Sequence, residues 1–320
     1  MTSFFEDNVN ERLVDCARAG DLPEIYKLLA IGADPRHNAS RALSIAAEHG
    51  HAQCVKLLLP LSDPKAKGSE ALRKAALNGH AECVKLLIPV SNPETADSDA
   101  LLEAARNGHA ECVCLLIPAS EPKAASSRPL RFAAHYGHPE CVKLLIPVSD
   151  PKARDSGALA AAAEQGHTEC VRLLIPFSNP KAYHSQALLG ASKNGYAECV
   201  KLLIPVSDPE ANDSEALRCA AAEGRAECVK LLAPISGPLL KNKKTLASVL
   251  SRGHADILSL LLACEPLLLT GLDLPDCRNA AIANGHAHLA ILLSSLIEQQ
   301  ALVATLPLLT PCAAPATRRL

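Results

Sequence analysis

The chain has 320 residues, which on length alone suggests about two ordinary globular domains, and at 48% hydrophobic and 21% charged its composition is that of a folded, soluble protein. Lys plus Arg total 32 and Asp plus Glu 34; the net charge of −2 gives no electrostatic ground for nucleic acid or an anionic membrane as main partner. Thirteen cysteines in a chain this long, whose first residues lack a basic stretch followed by an apolar run, argue against a secreted disulfide framework and for a reducing cytosol, the producer's own or a host cell's.

Residues 1–9 read as a lead segment, and 10–38 as an atypical capping unit with Asp21-Leu22 where later units have His-Ala. From 39 to 241 one 29-residue unit recurs seven times. Gly stands at 50, 79, 108, 137, 166, 195, 224 and 253. Cys follows at 54, 83, 112, 141, 170, 199 and 228, and Pro at 60, 89, 118, 147, 176, 205 and 234. Such a period is the signature of a repeat array.

One unit shows the logic. Ser69 is placed to cap a helix N-terminus, and Ala71, Leu72, Ala75 and Ala76 form an apolar stripe at helical spacing. Gly79 ends that helix in the left-handed region. His80 opens a second helix with Glu82 in its positive first turn, and Cys83, Val84, Leu86, Leu87 and Ile88 supply its buried side. Pro89 is expected to stop it by pushing Ile88 out of the α region, and Asn92-Pro93 marks a turn. Helices of nine or ten residues are too short to stand alone in water, so each hairpin must stack on its neighbours. The pairs Ala75-Ala76, Ala104-Ala105, Ala133-Ala134 and Ala162-Ala163 allow close approach. A large residue at Ala134 should cost about 1–3 kcal/mol or more.

Residues 242–299 hold two divergent units that keep Gly253-His254 and Gly285-His286 but lose the cysteine and proline, making about ten units in all. The apolar stretch 257–274 is broken by Glu265, Pro266, Gly271 and Asp273 and is too interrupted to span a bilayer. Residues 300–320, rich in Ala, Leu, Pro and Thr and without periodicity, are expected to be a disordered tail.

The pattern A-L-x-x-A-A-x-x-G-H-x-E-C-V-x-L-L-I over roughly residues 10 to 295 resembles the ankyrin repeat, T-P-L-H-x-A-A-x-x-G-H followed by an apolar second helix and G-A-D. Leu28-Leu-Ala-Ile-Gly-Ala-Asp34 matches that ending closely. The period departs from the family's usual 33 residues, and T-P-L-H is replaced by versions such as Glu70-Ala-Leu-Arg73. The resemblance implies an all-α, ankyrin-type helix-turn-helix solenoid. The missing residues fall where the family carries a β-hairpin finger, so the fingers are expected to be short or absent.

The search for chemistry returns little. Successive cysteines sit one helix spacing apart, about 8–10 Å, too far to bridge or to share a metal, and read as small buried residues. Cys114, beside Cys112 on another face, is the one reactive candidate. The histidines at 51, 80, 109, 138, 167, 254 and 286 read as joints between the two helices of a unit, because equivalent positions cannot all be one active site. No phosphate loop, nucleophile elbow or metalloprotease motif occurs. Lys241-Asn-Lys-Lys244 reads as a solvated basic loop.

What varies is a stripe. The two residues before each repeat Gly change from unit to unit, among them Arg106-Asn107, His135-Tyr136 and Glu164-Gln165, and by the resemblance they lie on the concave face. The fourth 29-residue unit stands out, with Arg128, Arg131, Phe132, His135 and Tyr136 on one helix in a chain 2% aromatic. Tyr and Arg are favoured at interface hot spots. Drift on a solvated face is the alternative for the stripe, and Phe132 fits a core place equally well. The expected function is a protein–protein interaction scaffold or adaptor, a cytoplasmic monomer without catalysis, cofactor or metal, binding another protein through Arg106, Asn107, Arg128, Arg131, Phe132, His135, Tyr136, Glu164 and Gln165. The alternatives are a protein recognised through its tail, or an enzyme with a site in the divergent C-terminal region, against which residues 255–320 offer few polar groups beyond Asp256, Glu265, Asp273, Asp276 and His288.

Overall fold

The computed structural model describes residues 2–236, 243–264 and 273–305. Twenty α-helices follow one another in pairs, and no strand occurs among the described residues. They are α1 (Thr2–Ala19) and α2 (Leu22–Ala30), α3 (His37–Glu48) and α4 (Ala52–Leu58), α5 (Ala66–Leu77) and α6 (Ala81–Leu87), α7 (Thr95–Arg106) and α8 (Ala110–Leu116), α9 (Ala124–His135) and α10 (Pro139–Leu145). Then come α11 (Ala153–Glu164) and α12 (Thr168–Leu174), α13 (Ala182–Asn194) and α14 (Ala197–Leu203), α15 (Ala211–Ala222) and α16 (Ala226–Leu232), α17 (Lys243–Arg252) and α18 (Ala255–Cys264), α19 (Leu274–Ala283) and α20 (Ala287–Thr305).

The chain divides into two compact units, Met1–Ala216 and Leu217–Leu320. In the first, the leading helices α3, α5, α7, α9, α11 and α13 pack each on the next and form one layer; α4, α6, α8, α10, α12 and α14 form the other. In the second, α16 packs on α18, α18 on α20, and α17 on α19. The core lies between the layers. In the unit dissected above, Leu72, Ala75, Ala76, Cys83, Val84 and Leu87 are fully buried, while Leu86 and Ile88 are half-buried. The Ala pairs, Ala134 included, are completely buried, as close helix approach demands.

Most leading helices end in the same way. At the end of α5, Gly79 takes φ +75, its N–H bonds to Ala76 O at 3.3 Å and His80 N–H to Ala75 O at 2.9 Å. This pair of bonds satisfies carbonyls that a helix end would otherwise leave orphaned.

Three expectations about local chemistry are corrected. Ser69 does not cap α5. It sits at φ +64, the last of three left-handed residues beginning at Lys67, and its Oγ accepts from the N–H of Asn92 at 2.9 Å in the next loop. Ser40, Ser127, Ser156 and Ser185 make the same bond to Asp63, Asp150, Asn179 and Asp208. These bonds tie successive connecting loops in the place where fingers are short or absent. Pro89 does not expel Ile88 from the α region (φ −48, ψ −52); it converts the helix into a 3₁₀ turn over Ile88–Val90, and the chain becomes extended only at Ser91. The repeat histidines do not join the helices of their own unit, as described below.

The ends differ from expectation too. α1 begins at Thr2, inside the supposed lead segment, and α20 runs to Thr305, so a tail starting at 300 begins within a helix. The remainder of the tail, Glu265 and the start of the basic run at Lys241 lie outside the described residues.

A candidate partner-binding face on the leading helices

The candidate residues sit at helix ends that the following repeat holds down. His138 Nε2 donates to Arg106 O at 2.9 Å, and His167 Nε2 to His135 O at 3.0 Å. Each ring also lies on the Gly of the repeat before it. A Cβ added to Gly108 would stand 2.5 Å from His138 Nδ1, and one at Gly137 would meet the ring of His167. His51, His80, His109, His254 and His286 make the corresponding bonds to Arg18, Glu48, Leu77, Ala222 and Ser251. The histidines are therefore straps between repeats. Each occupies one open carbonyl at the C-terminus of a leading helix and fixes the two residues before the Gly, which are the variable ones.

On this base α9 presents a ridge. Tyr136, the C-cap residue of α9, is 41% exposed. Its ring packs edge-on against His135 at 4.9 Å between centroids and lies 6.1 Å from Phe132. Arg106 of α7 places its guanidinium 5.4 Å from the Tyr136 centroid, and Arg128 and Arg131 lie 5.5 and 5.2 Å from that of Phe132. Guanidinium against an aromatic face is worth about 0.5–1 kcal/mol at exposed sites. The structure thus brings Arg106, Arg128, Arg131, Phe132, His135 and Tyr136 together. Phe132 is half-buried, part of the ridge and not of the core. Asn107 is exposed and turns its amide back to Glu103 O at 2.8 Å, and Glu164 and Gln165 lie exposed at the end of α11 beyond the ridge. Tyr183 is 69% exposed in the opening turn of α13, next to His184 and away from the ridge.

The charges of the ridge are unbalanced. In α5, Lys74 reaches Glu48 at 2.7 Å and Glu70 at 3.5 Å. Among the described residues no carboxylate lies within 4.0 Å of Arg106, Arg128, Arg131 or Arg154. Arg131 is half-buried, and its Nε is buried without a hydrogen-bond partner. Burial, then the neighbouring charges of Arg154 and Arg128, hold its pKa below the ordinary arginine value. Its stem runs across the next helix, where a Cβ on Gly157 would stand 3.6 Å from Arg131 Cδ. Gly157, Ala160 and Ala161 of α11 lay a low floor beside the ridge. Arg154 and Gly157 escaped the sequence reading, in which Ala160-Ala161 stand only among the pairs that vary from unit to unit; the available signal was that α11 carries no bulky or charged residue where α5 has Glu70, Arg73 and Lys74.

Comparison with known proteins now bears on the stack. A family model for ankyrin repeats, three copies long, matches at residues 13–99, 90–155, 130–213, 159–239 and 188–270. The chain belongs to the ankyrin repeat family. Among 109 solved chains that match is the crystal structure of the human ASB11 ankyrin repeat domain, 23% identical, covering 64% of this chain and 95% of that one with a TM-score of 0.50, a likeness of fold. A search of curated proteins finds no match.

Elsewhere in these ankyrin repeats several polar groups are committed to structure. In the second unit a shallow depression of about 190 Å³ is lined by His254, Asp256 and His288, but the His254 imidazole is tied to Ala222 O at 3.1 Å. Asp273 caps α19 by accepting from Asp276 N–H at 3.0 Å, so its carboxylate serves the helix end. Among the described residues no three His, Cys, Asp or Glu side chains stand where they could share a metal, and no helix is long and apolar enough to cross a membrane. The repeat cysteines are buried, Cys54, Cys83, Cys112, Cys141, Cys170 and Cys199 without a disulfide, and Cys114 is exposed, on the other side of α8 from Cys112.

Proposed function

We propose that this ankyrin repeat protein is a scaffold or adaptor that binds a partner protein across the leading-helix face of its middle repeats, without catalysis, as a monomer in the cytosol. One observation carries the reading. Tyr136 is exposed, yet already held by Arg106, His135 and Phe132. An aromatic anchor ordered before binding loses little side-chain freedom when a partner arrives. Buried cysteines without a disulfide, Cys54, Cys83, Cys112, Cys141, Cys170 and Cys199, suit a reducing compartment.

The test is a quantitative pull-down from the native cell extract with three baits: the natural chain, Tyr136→Ala and Arg131→Ala. Proteins retained by the natural chain should fall by about tenfold or more on both variants, since a hot-spot truncation costs about 2 kcal/mol. The same set of proteins retained equally by all three baits would refute this use of the face.

A further inference from the structure

We propose that the partner segment seated on this face is an acidic peptide stretch, its carboxylates pairing with Arg106, Arg128, Arg131 and Arg154 and a small apolar side chain resting on the floor of Gly157, Ala160 and Ala161. The inference rests on the binding reading above and deepens it by naming the chemistry of the occupant.

Charge complementarity is the first ground. Four guanidinium groups cluster on α7, α9 and α11, and among the described residues none has a carboxylate within reach, although the same face neutralises its cation in α5 through Glu48 and Glu70. Arg131 is held half-buried between like charges with an unsatisfied Nε. A planar guanidinium presents donors in a fork that matches a carboxylate, and pairing there satisfies a group the free chain leaves open.

Extent is the second ground. The positive ridge spans three leading helices, about 16–20 Å between the outer axes at ordinary helix spacing. Glu103 and Glu164 stand within it or at its border. A nucleic acid strand presents phosphates continuously and would meet these acids, whereas a short peptide places two or three carboxylates and stops. The floor of α11 fits a methyl or isopropyl group better than a base, because the Phe132 and Tyr136 rings of the ridge already carry guanidinium groups on or beside their faces and the His135 ring packs edge-on against Tyr136.

The test is selection of phage-displayed random peptides on the full-length chain. The enriched peptides are then titrated by fluorescence anisotropy, with single-stranded oligo-dT as competitor. Arg106→Glu/Arg154→Glu alters only exposed residues and leaves the fold intact; Arg128→Glu is the third charge reversal, with circular dichroism as the folding check. The expected result is enrichment of Asp and Glu, affinity lost by about tenfold or more in the double reversal, and weakening as salt shortens the screening length. Peptides that depend on Tyr136 but carry no acidic excess would overturn the proposal while leaving a binding face in place. No Tyr136-dependent peptide at all would overturn both. Displacement of the peptides by equimolar oligo-dT would replace the proposal with nucleic acid binding.

Discussion

His109 lies on Gly79. A side chain of even one carbon at position 79 would come within 2.5 Å of its Nδ1, while Nε2 donates to Leu77 O at 3.0 Å. Gly79 is thus held to glycine twice, by a left-handed backbone at φ +75 and by the ring of the following repeat. Gly79→Ala should destabilise the chain by about 2–4 kcal/mol, combining the left-handed penalty with overpacking. His109→Ala should cost about 1–2 kcal/mol by reopening a helix-end carbonyl. The double variant should cost less than the sum, because removing the ring removes the clash. Urea unfolding of the four chains measures the cycle; strict additivity would show that ring and glycine are not coupled.

The strap histidine is replaced at Tyr196 and at Arg225, and the replacement at Tyr196 is compensated. Tyr196 stands where most other repeats have His, and its ring covers Gly166; the carbonyl of Glu164 is taken by Asn194 Nδ2 at 2.8 Å. Asn194→Ala should therefore cost about 1 kcal/mol in the natural chain. In a Tyr196→His background the imidazole can reach Glu164 O and the loss should largely vanish. Equal losses in both backgrounds, read from urea midpoints, would contradict this exchange of donors.

The buried thiols give the fold an alkaline weakness. Burial pushes Cys83, Cys112, Cys141 and Cys170 from 9.0 up to about 11. Below pH 9 these thiols are protonated in both states and stability is unaffected. Between about pH 9 and 11 the unfolded chain ionises them first and binds fewer protons, so stability falls as pH rises. At pH 8 iodoacetamide followed by mass spectrometry should mark the exposed Cys114 and Cys264 first and leave the four buried positions unmodified until the chain unfolds. Early labelling of Cys112 would disprove the packing.

Arg131 is a liability to the fold if its role is binding. Its half-buried guanidinium faces Arg128 and Arg154 without a carboxylate. Arg131→Met keeps the stem that crosses Gly157 and removes the charge, so it should stabilise the chain by about 0.5–1 kcal/mol while weakening partner binding. A loss of stability with binding unchanged would make Arg131 a structural residue.

How much of this was legible follows from what each residue is asked to do. The helix pairs could be read because the left-handed turn at Gly79, the burial of Cys83 and the break at Pro89 are local to one unit, where spacing along the chain is spacing in space. The acts that join units could not. His80 always stands beside Gly79 in sequence, so a local joint was the natural reading; that its ring belongs to Gly50 and its proton to Glu48 O appears only once the repeats are stacked. Ser69 was misread for the same reason, since its acceptor role is exerted on Asn92 in the next loop. At the candidate face, Arg128, Arg131, Phe132, His135 and Tyr136 share one helix and were visible together. Arg154 was not, because its link to Arg131 crosses from α11 to α9.

Hydrogen–deuterium exchange on the full-length chain, free and loaded with the protein recovered in the pull-down, tests the binding face most directly. Protection should concentrate in 102–107, 128–136 and 157–165, with the connecting loops and the second unit unchanged. Protection confined to 273–305 or to the connecting loops, with 128–136 exchanging as in the free chain, would contradict it.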